Sequence, residues 1–293
     1  MEIVLLPVLI IGGMGLVFGA LLAVAAKVFE VKKDERIPKI TEILPGANCG
    51  GCGFAGCAAY AAAIVENGAA VNCCSVGGNS VAAEIAGVMG VSAEKCEKQV
   101  AYVRCSGTNA AATLKYRAED DIDCHTANRL GGGIKDCAYG CLGFGSCVKK
   151  CSFGAIRIID GVAVVDREKC GGCGACIAEC PRHIIVMIPY ERKNAVVVCN
   201  SAANGKTVRA VCSAGCIGCG ICAKNCPSGA ITVESSLASV DAEKCTGCGL
   251  CAEKCPRKII KIVTAGENAV AEQKNNITAG EPQIAVALKA EKR

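Results

Sequence analysis

The chain has 293 residues, a formal net charge of +5, 26 cysteines and 35 glycines, but no tryptophan and only five phenylalanines and five tyrosines. So few aromatics argue against one large core and for several small units in series. The cysteines stand at the spacings of metal sites rather than of a secreted disulfide framework, which places the folded part in a reducing compartment.

From the N-terminus, the stretch from Ile3 to Ala26 runs without a single charge. As a helix it reaches about 36 Å, enough to cross a hydrocarbon core of about 30 Å. Pro7 falls in its first turn, where a missing N–H costs little. Only Met1 and Glu2 precede the run, so the basic start of a signal peptide is missing. The basic residues Lys27, Lys32, Lys33, Arg36 and Lys39 all follow it. The positive-inside rule then gives a single pass through the cell membrane, with the N-terminus outside and everything beyond Lys27 on the cytoplasmic side. Gly15, Gly19 and Ala23 form a small-residue stripe suited to a partner helix. Residues 1–26 are thus read as a transmembrane helix and 27–43 as a basic linker.

Residues 44–90 open with "LPGANCGGCGFAGCAAYAAAIVENG", in which Cys49, Cys52 and Cys57 lead into an alanine-rich helix that stops near Gly68. Three thiolates so close together want a fourth, and Cys73 and Cys74 both offer it. Gly51, Gly53 and Gly56 fit a dinucleotide-binding pattern only formally, because Cys52 occupies the loop and no strand precedes it. The stretch resembles the single-cluster domain found in the B subunit of the Rnf complex and in corrinoid iron–sulfur proteins. In that family two residues and a glycine pair follow the fourth ligand, which selects Cys74.

Residues 91–136 read as a connector after a helix over 81–90. A lone cysteine is usually a small buried hydrophobe, and Cys96 fits that description. Cys124 is harder to dismiss, since Cys199 follows it at an interval that many other cysteines share.

That interval is the period of the rest of the chain. Cys137, Cys141, Cys147, Cys151, Cys170, Cys173, Cys176 and Cys180 recur as Cys212, Cys216, Cys222, Cys226, Cys245, Cys248, Cys251 and Cys255. "DREKCGGCGACIAECPRHII" is answered by "DAEKCTGCGLCAEKCPRKII", so a unit has been duplicated. Each copy ends in C-x2-C-x2-C-x3-C-P, the spacing that wraps iron–sulfur clusters, with the last cysteine crossing to a second cluster. Between the cysteine sets lies an apolar hairpin, "AIRIIDGVAVVD", turning at Asp160-Gly161.

The two copies resemble tandem two-cluster bacterial ferredoxins, here over 137–190 and 191–264, followed by a flexible tail over 265–293. The expected fold class is α+β: a transmembrane helix, a small single-cluster domain and tandem ferredoxin-like domains. The resemblance groups Cys151, Cys170, Cys173 and Cys176 on one cluster, and Cys226, Cys245, Cys248 and Cys251 on another. The crossing cysteines Cys180 and Cys255 complete two more. In the second copy Cys216, Cys219 and Cys222 are expected to supply the local thiolates, with Cys212 to spare; the alternative is that Cys212 is used and Cys219 is idle. The first copy has Phe144 at the place of Cys219, so Cys137 is expected to take that corner beside Cys141 and Cys147. Five 4Fe–4S clusters follow from twenty cysteines. At about −2 each they outweigh the formal charge, so a basic balance gives no argument for nucleic acid.

In this order the parts resemble the long form of the B subunit of the Rnf complex, the ion-translocating ferredoxin–NAD oxidoreductase. Membership implies reduced ferredoxin as electron donor, and membrane and peripheral subunits as partners. It also implies a role in a translocase whose hydride chemistry lies on other chains. A polyferredoxin subunit of a hydrogenase is the alternative closest in class. A membrane-anchored cluster-assembly or redox-sensing protein is further off, because no output domain is recognisable.

Overall fold

The computed structural model describes residues 2–28, 34–116 and 122–265, with the side chains of the first helix described over 11–25 and at Lys27. Lys32 and Lys33 of the linker and the tail from 266 onward lie outside the described residues. Helix α1 (Glu2–Val28) has Lys27 in its last turn. Its described side chains cover only the later part, and among the described residues no helix is long and apolar enough to cross a membrane. Ile11, Met14, Leu16 and Val17 leave its axis in four directions, at about 100° per residue, and all are exposed.

Three helices follow: α2 (Arg36–Ile43), α3 (Cys57–Asn67) and α4 (Gly78–Met89). Alanines at 61 and 63 let α3 lie close to its neighbours, and Ile40, Tyr60, Ile64 and Ile85 fill the space between. Helix α3 ends where Gly68 takes a left-handed φ of 65° and donates its N–H to the Ala63 carbonyl.

The first ferredoxin-like unit comprises β1 (Gln99–Val103), α5 (Cys124–Arg129), α6 (Ser146–Lys150), β2 (Ile156–Ile159), β3 (Val162–Val165), α7 (Ala175–Glu179) and β4 (Ile185–Pro189). The second comprises β5 (Asn194–Val197), α8 (Gly205–Val211), α9 (Ile221–Lys224), β6 (Ile231–Glu234), β7 (Leu237–Val240), α10 (Leu250–Lys254) and β8 (Ile260–Val263). Each unit is two antiparallel strand pairs, β1–β4 with β2–β3, and β5–β8 with β6–β7. The β2–β3 hairpin turns on Asp160 and Gly161 at φ of 45° and 72°, the double left-handed geometry that an Asp-Gly pair favours. Ser235 and Ser236 hold the matching turn at 45° and 62° without a glycine.

Strand β1 falls inside the segment read as a connector. Its partner β4 closes the far end of the unit, with everything from α5 to α7 between them, so no local pattern announces the pairing. The registers also correct the period at this point. Ala101 stands opposite Met187, and Ala195 opposite Ile262, which is the repeat of Met187. The strands are therefore offset by the interval from Ala101 to Ala195, which is longer than the interval from Cys137 to Cys212 that governs the rest. The first unit carries an extra segment before Cys137, and α5 lies within it. The structural counterpart of Cys199 is Cys105, and the match of Cys124 to Cys199 is a coincidence of number.

The two units pack through the outer faces of β1–β4 and β5–β8, where Val100, Ile188, Val196 and Val263 form one buried cluster. Buried Arg167 closes this junction, donating to the carbonyls of Tyr190 and Thr264. The helical domain rests on the first unit. A Cβ at Gly51 would come within 2.8 Å of the Cys173 backbone, so only glycine permits this approach.

Candidate iron–sulfur sites

In the helical domain Cys49, Cys52, Cys57 and Cys74 line one cavity of about 350 Å³. The Asn48 side chain accepts the Cys57 N–H at 2.9 Å and starts α3 at its cysteine. Gly77 donates its N–H to the Cys74 sulfur at 3.4 Å. Burial raises the pKa of the Cys74 thiol, and Cys52 and Cys57 beside it act the same way. Cys73 does not line this cavity, and its N–H donates to the Tyr60 hydroxyl at 3.0 Å.

The second unit sets Cys216, Cys219, Cys222 and Cys255 round a cavity of about 360 Å³. Burial pushes Cys251 up to about 11, with Cys245 and Cys248 close by. Cys226 lies on the same core, its sulfur 3.5 Å from the Ser228 hydroxyl. In the first unit burial pushes Cys176 up to about 12, with Cys170, Cys173 and Cys151 around it. Equivalent backbone N–H groups, of Ala101 and Ala195, donate to Cys170 and Cys245 at 3.4 Å.

The remaining cavity of the first unit, about 370 Å³, is lined by Cys141, Cys147 and Cys180. Its fourth cysteine is Cys124, whereas Cys137, expected at this corner, lines a different cavity. Burial pushes Cys147 up to about 12, and Cys141, Cys124 and Cys180 are among the thiols that add to it. Helix α5 is built to deliver Cys124. Asp123 caps it by accepting the Thr126 N–H at 2.6 Å, and the Cys124 N–H donates to the buried Ser146 hydroxyl at 2.9 Å. His125 meets Glu179 of α7 at 3.1 Å. Cys137 faces another cavity, with Cys105, Cys199 and Cys212, so Cys212 is not idle in space either. The extra segment of the first unit was the missed signal, because it brings a cysteine to the unit whose loop lacks one.

Among the described residues, no group of three or more His, Cys, Asp or Glu side chains is gathered tightly enough for a single metal ion. Sulfurs bound tetrahedrally at about 2.3 Å would stand about 3.8 Å apart. Here the thiols ring cavities instead, with backbone N–H groups aimed at several sulfurs, as the outer corners of a polynuclear cluster require. The donor set fits 4Fe–4S centres.

Repeated strand pairs, short helices and cysteine quartets define an electron-transfer protein of the iron–sulfur class. The "Putative Fe-S cluster" family profile matches residues 44–76, a "4Fe-4S binding domain" profile 163–186, and a "4Fe-4S dicluster domain" profile 215–259. The chain is 48% identical over 245 residues to the B subunit of the Na(+)-translocating ferredoxin:NAD(+) oxidoreductase complex of Acetobacterium woodii, covering 83% of this chain and 73% of that one. Against the B subunit of the ion-translocating oxidoreductase complex of Methanosarcina acetivorans it is 45% identical, over 83% and 92% of the two chains. Against the proton-translocating counterpart of Clostridium ljungdahlii it is 42% identical, over 82% and 85%. The chain belongs to the family of B subunits of the Rnf complexes, the ion-translocating ferredoxin:NAD(+) oxidoreductases.

Proposed function

We propose that this subunit takes electrons from reduced ferredoxin and passes them, through 4Fe–4S clusters, to the other subunits of a membrane complex that reduces NAD and moves an ion. When bound, such clusters exchange single electrons. The chain's residues set where they sit. Cys49, Cys52, Cys57 and Cys74 hold one. Cys151, Cys170, Cys173 and Cys176 hold the next, Cys124, Cys141, Cys147 and Cys180 a third. In the second unit Cys216, Cys219, Cys222 and Cys255, and then Cys226, Cys245, Cys248 and Cys251, hold two more. The observation that carries this reading is the serial placement of the quartets. Cys49 lies near enough to Cys173 to raise its thiol further after burial has done so, which puts the helical domain's quartet beside the first unit's.

Helix α1 is read as the single membrane anchor, on its charge-free run and its exposed apolar side chains. Every cysteine of the chain lies beyond Lys27. Deleting residues 1–26 should therefore leave a brown, iron-loaded chain that ferredoxin still reduces but that no longer joins the membrane. Loss of iron on this truncation would defeat that division of labour. The donor is proposed to dock on the exposed Lys149 and Lys150 of α6, Lys224 of α9 and Lys254 of α10, because bacterial ferredoxins are acidic. Anaerobic mixing with reduced ferredoxin tests the function itself. Rapid bleaching of the visible absorbance is expected, and a chain that stays oxidised would overturn the assignment.

A further inference from the structure

Six cysteines stand outside the five quartets, and four of them meet. Cys105, Cys137, Cys199 and Cys212 line one cavity of about 410 Å³ at the junction of the two ferredoxin units. Three of the assigned quartets ring cavities of the same kind. Two glycines locate the sulfurs. A Cβ at Gly107 would stand 3.5 Å from the Cys212 sulfur and 3.6 Å from that of Cys105. One at Gly140 would stand 3.4 Å from the Cys137 sulfur and 3.7 Å from that of Cys105. Cys105 lies beside Cys199, and Cys137 beside Cys212.

The quartet has the symmetry of the duplication. Cys105 and Cys199 occupy equivalent places just past β1 and β5, and Cys137 and Cys212 stand at the same spacing before the first loop cysteines, Cys141 and Cys216. Each unit thus brings the same pair, and neither can close the site alone. The hydrogen bonds repeat as well. Gly107 and Cys141 donate their N–H groups to the Cys105 sulfur at 3.4 Å. Ser201 and Cys216 donate theirs to the Cys199 sulfur at 3.5 and 3.3 Å. Two backbone N–H groups on one sulfur favour a thiolate, and the quartets of both units receive the same kind of bond.

An independent feature marks the cavity as a place for negative charge. Lys135 is on its wall and is 3% exposed. Its ammonium donates to the Gly107 and Gly161 carbonyls, both at 2.7 Å, and has no carboxylate partner among the described residues. Among the described residues this buried cation faces only carbonyls, and a cluster held by four thiolates would supply a counter-charge.

We propose that Cys105, Cys137, Cys199 and Cys212 hold a sixth 4Fe–4S cluster, shared between the two ferredoxin units. Its neighbours are fixed by the same hydrogen bonds. Cys141 belongs to the loop quartet on one side and Cys216 to that on the other, so the sixth cluster joins two rows into one. This rests on the reading that the other quartets hold clusters, and an iron count separates the two ideas.

The full chain, purified without oxygen, should hold about twenty-four irons and as many acid-labile sulfides. About twenty would remove the sixth cluster and leave the function standing; iron near zero would remove both. Cys199→Ser and Cys212→Ser should each lose about four irons, whereas Cys73→Ser and Cys96→Ser lose none. Unchanged iron in both Cys199→Ser and Cys212→Ser would overturn the assignment. If those variants collapse, the wild-type count decides, with a spin count on full reduction of six centres expected against five.

Discussion

The two ferredoxin units share strands, helices and three of the four thiols at their loop quartets, yet they complete those quartets differently. In the second unit the sequence "CIGCGIC" provides Cys216, Cys219 and Cys222 within one tight loop. In the first, "CLGFGSC" has Phe144 in the middle, and Cys124 arrives from α5, well upstream of Cys141. Closing a loop about fivefold longer costs roughly 1.5 kcal/mol more in chain entropy. The Asp123 cap and the bond from Cys124 to Ser146 offset it, at about 1 kcal/mol each. On the proposed assignment a cluster corner belongs to whichever segment can hold a thiol there, and sequence spacing is only the shortest means of doing so.

The largest test of this difference is to exchange the two solutions. Cys124→Ala should remove about four irons from the first unit, and Cys219→Ala about four from the second. Adding Phe144→Cys to Cys124→Ala should restore the lost irons by giving the first loop the second's sequence. Full iron in Cys124→Ala alone would return the corner to Cys137. A smaller effect would show which unit meets the donor. Lys149→Glu with Lys150→Glu, and Lys224→Glu with Lys254→Glu, should slow electron uptake unequally. A loss of about tenfold is expected for the docking pair at low ionic strength, shrinking as salt rises. A rate indifferent to both pairs and to salt would remove the lysines from docking. The smallest effect concerns the support of Cys124. Ser146→Ala should lower stability by about 1 kcal/mol, read from the urea midpoint of cluster release. Its counterpart Ile221→Ala, at a position 37% exposed, should cost less. Equal shifts would show that Ser146 does nothing particular for α5.

Much of this architecture is legible in the residues. The cluster loops and the Asp160-Gly161 hairpin are short-range objects, and their spacing survives duplication intact. The pairing of β1 with β4 is not, because most of the unit separates the two strands and β1 itself is short. Missing that strand hid the longer offset between the units. With the offset hidden, Cys124 took the place of Cys105 as the counterpart of Cys199. The expectation for Cys137 came from asking which nearby thiol could replace Cys219, whereas in the structure Cys137 lines a different cavity. Nothing local distinguishes Cys105, Cys137, Cys199 and Cys212 from packed core cysteines, since each acquires meaning only from the unit it does not belong to.

Lys135 has a consequence for where an electron rests. Behind burial and other influences, its charge acts on Cys105, Cys141 and Cys212, so it lies among the central cavity and the loop quartet next to it. A fixed cation about 8 Å from an added electron, at an effective dielectric constant near 20, lowers its energy by roughly 2 kcal/mol. The midpoint of the row is then a shallow well. On the proposed cluster assignment the molecule would act as a capacitor as well as a conductor, with charge held at its centre. Lys135→Met should flatten that well, which a redox titration would register as a more negative midpoint for one or two centres, whereas an unaltered titration would leave the lysine a purely structural strut.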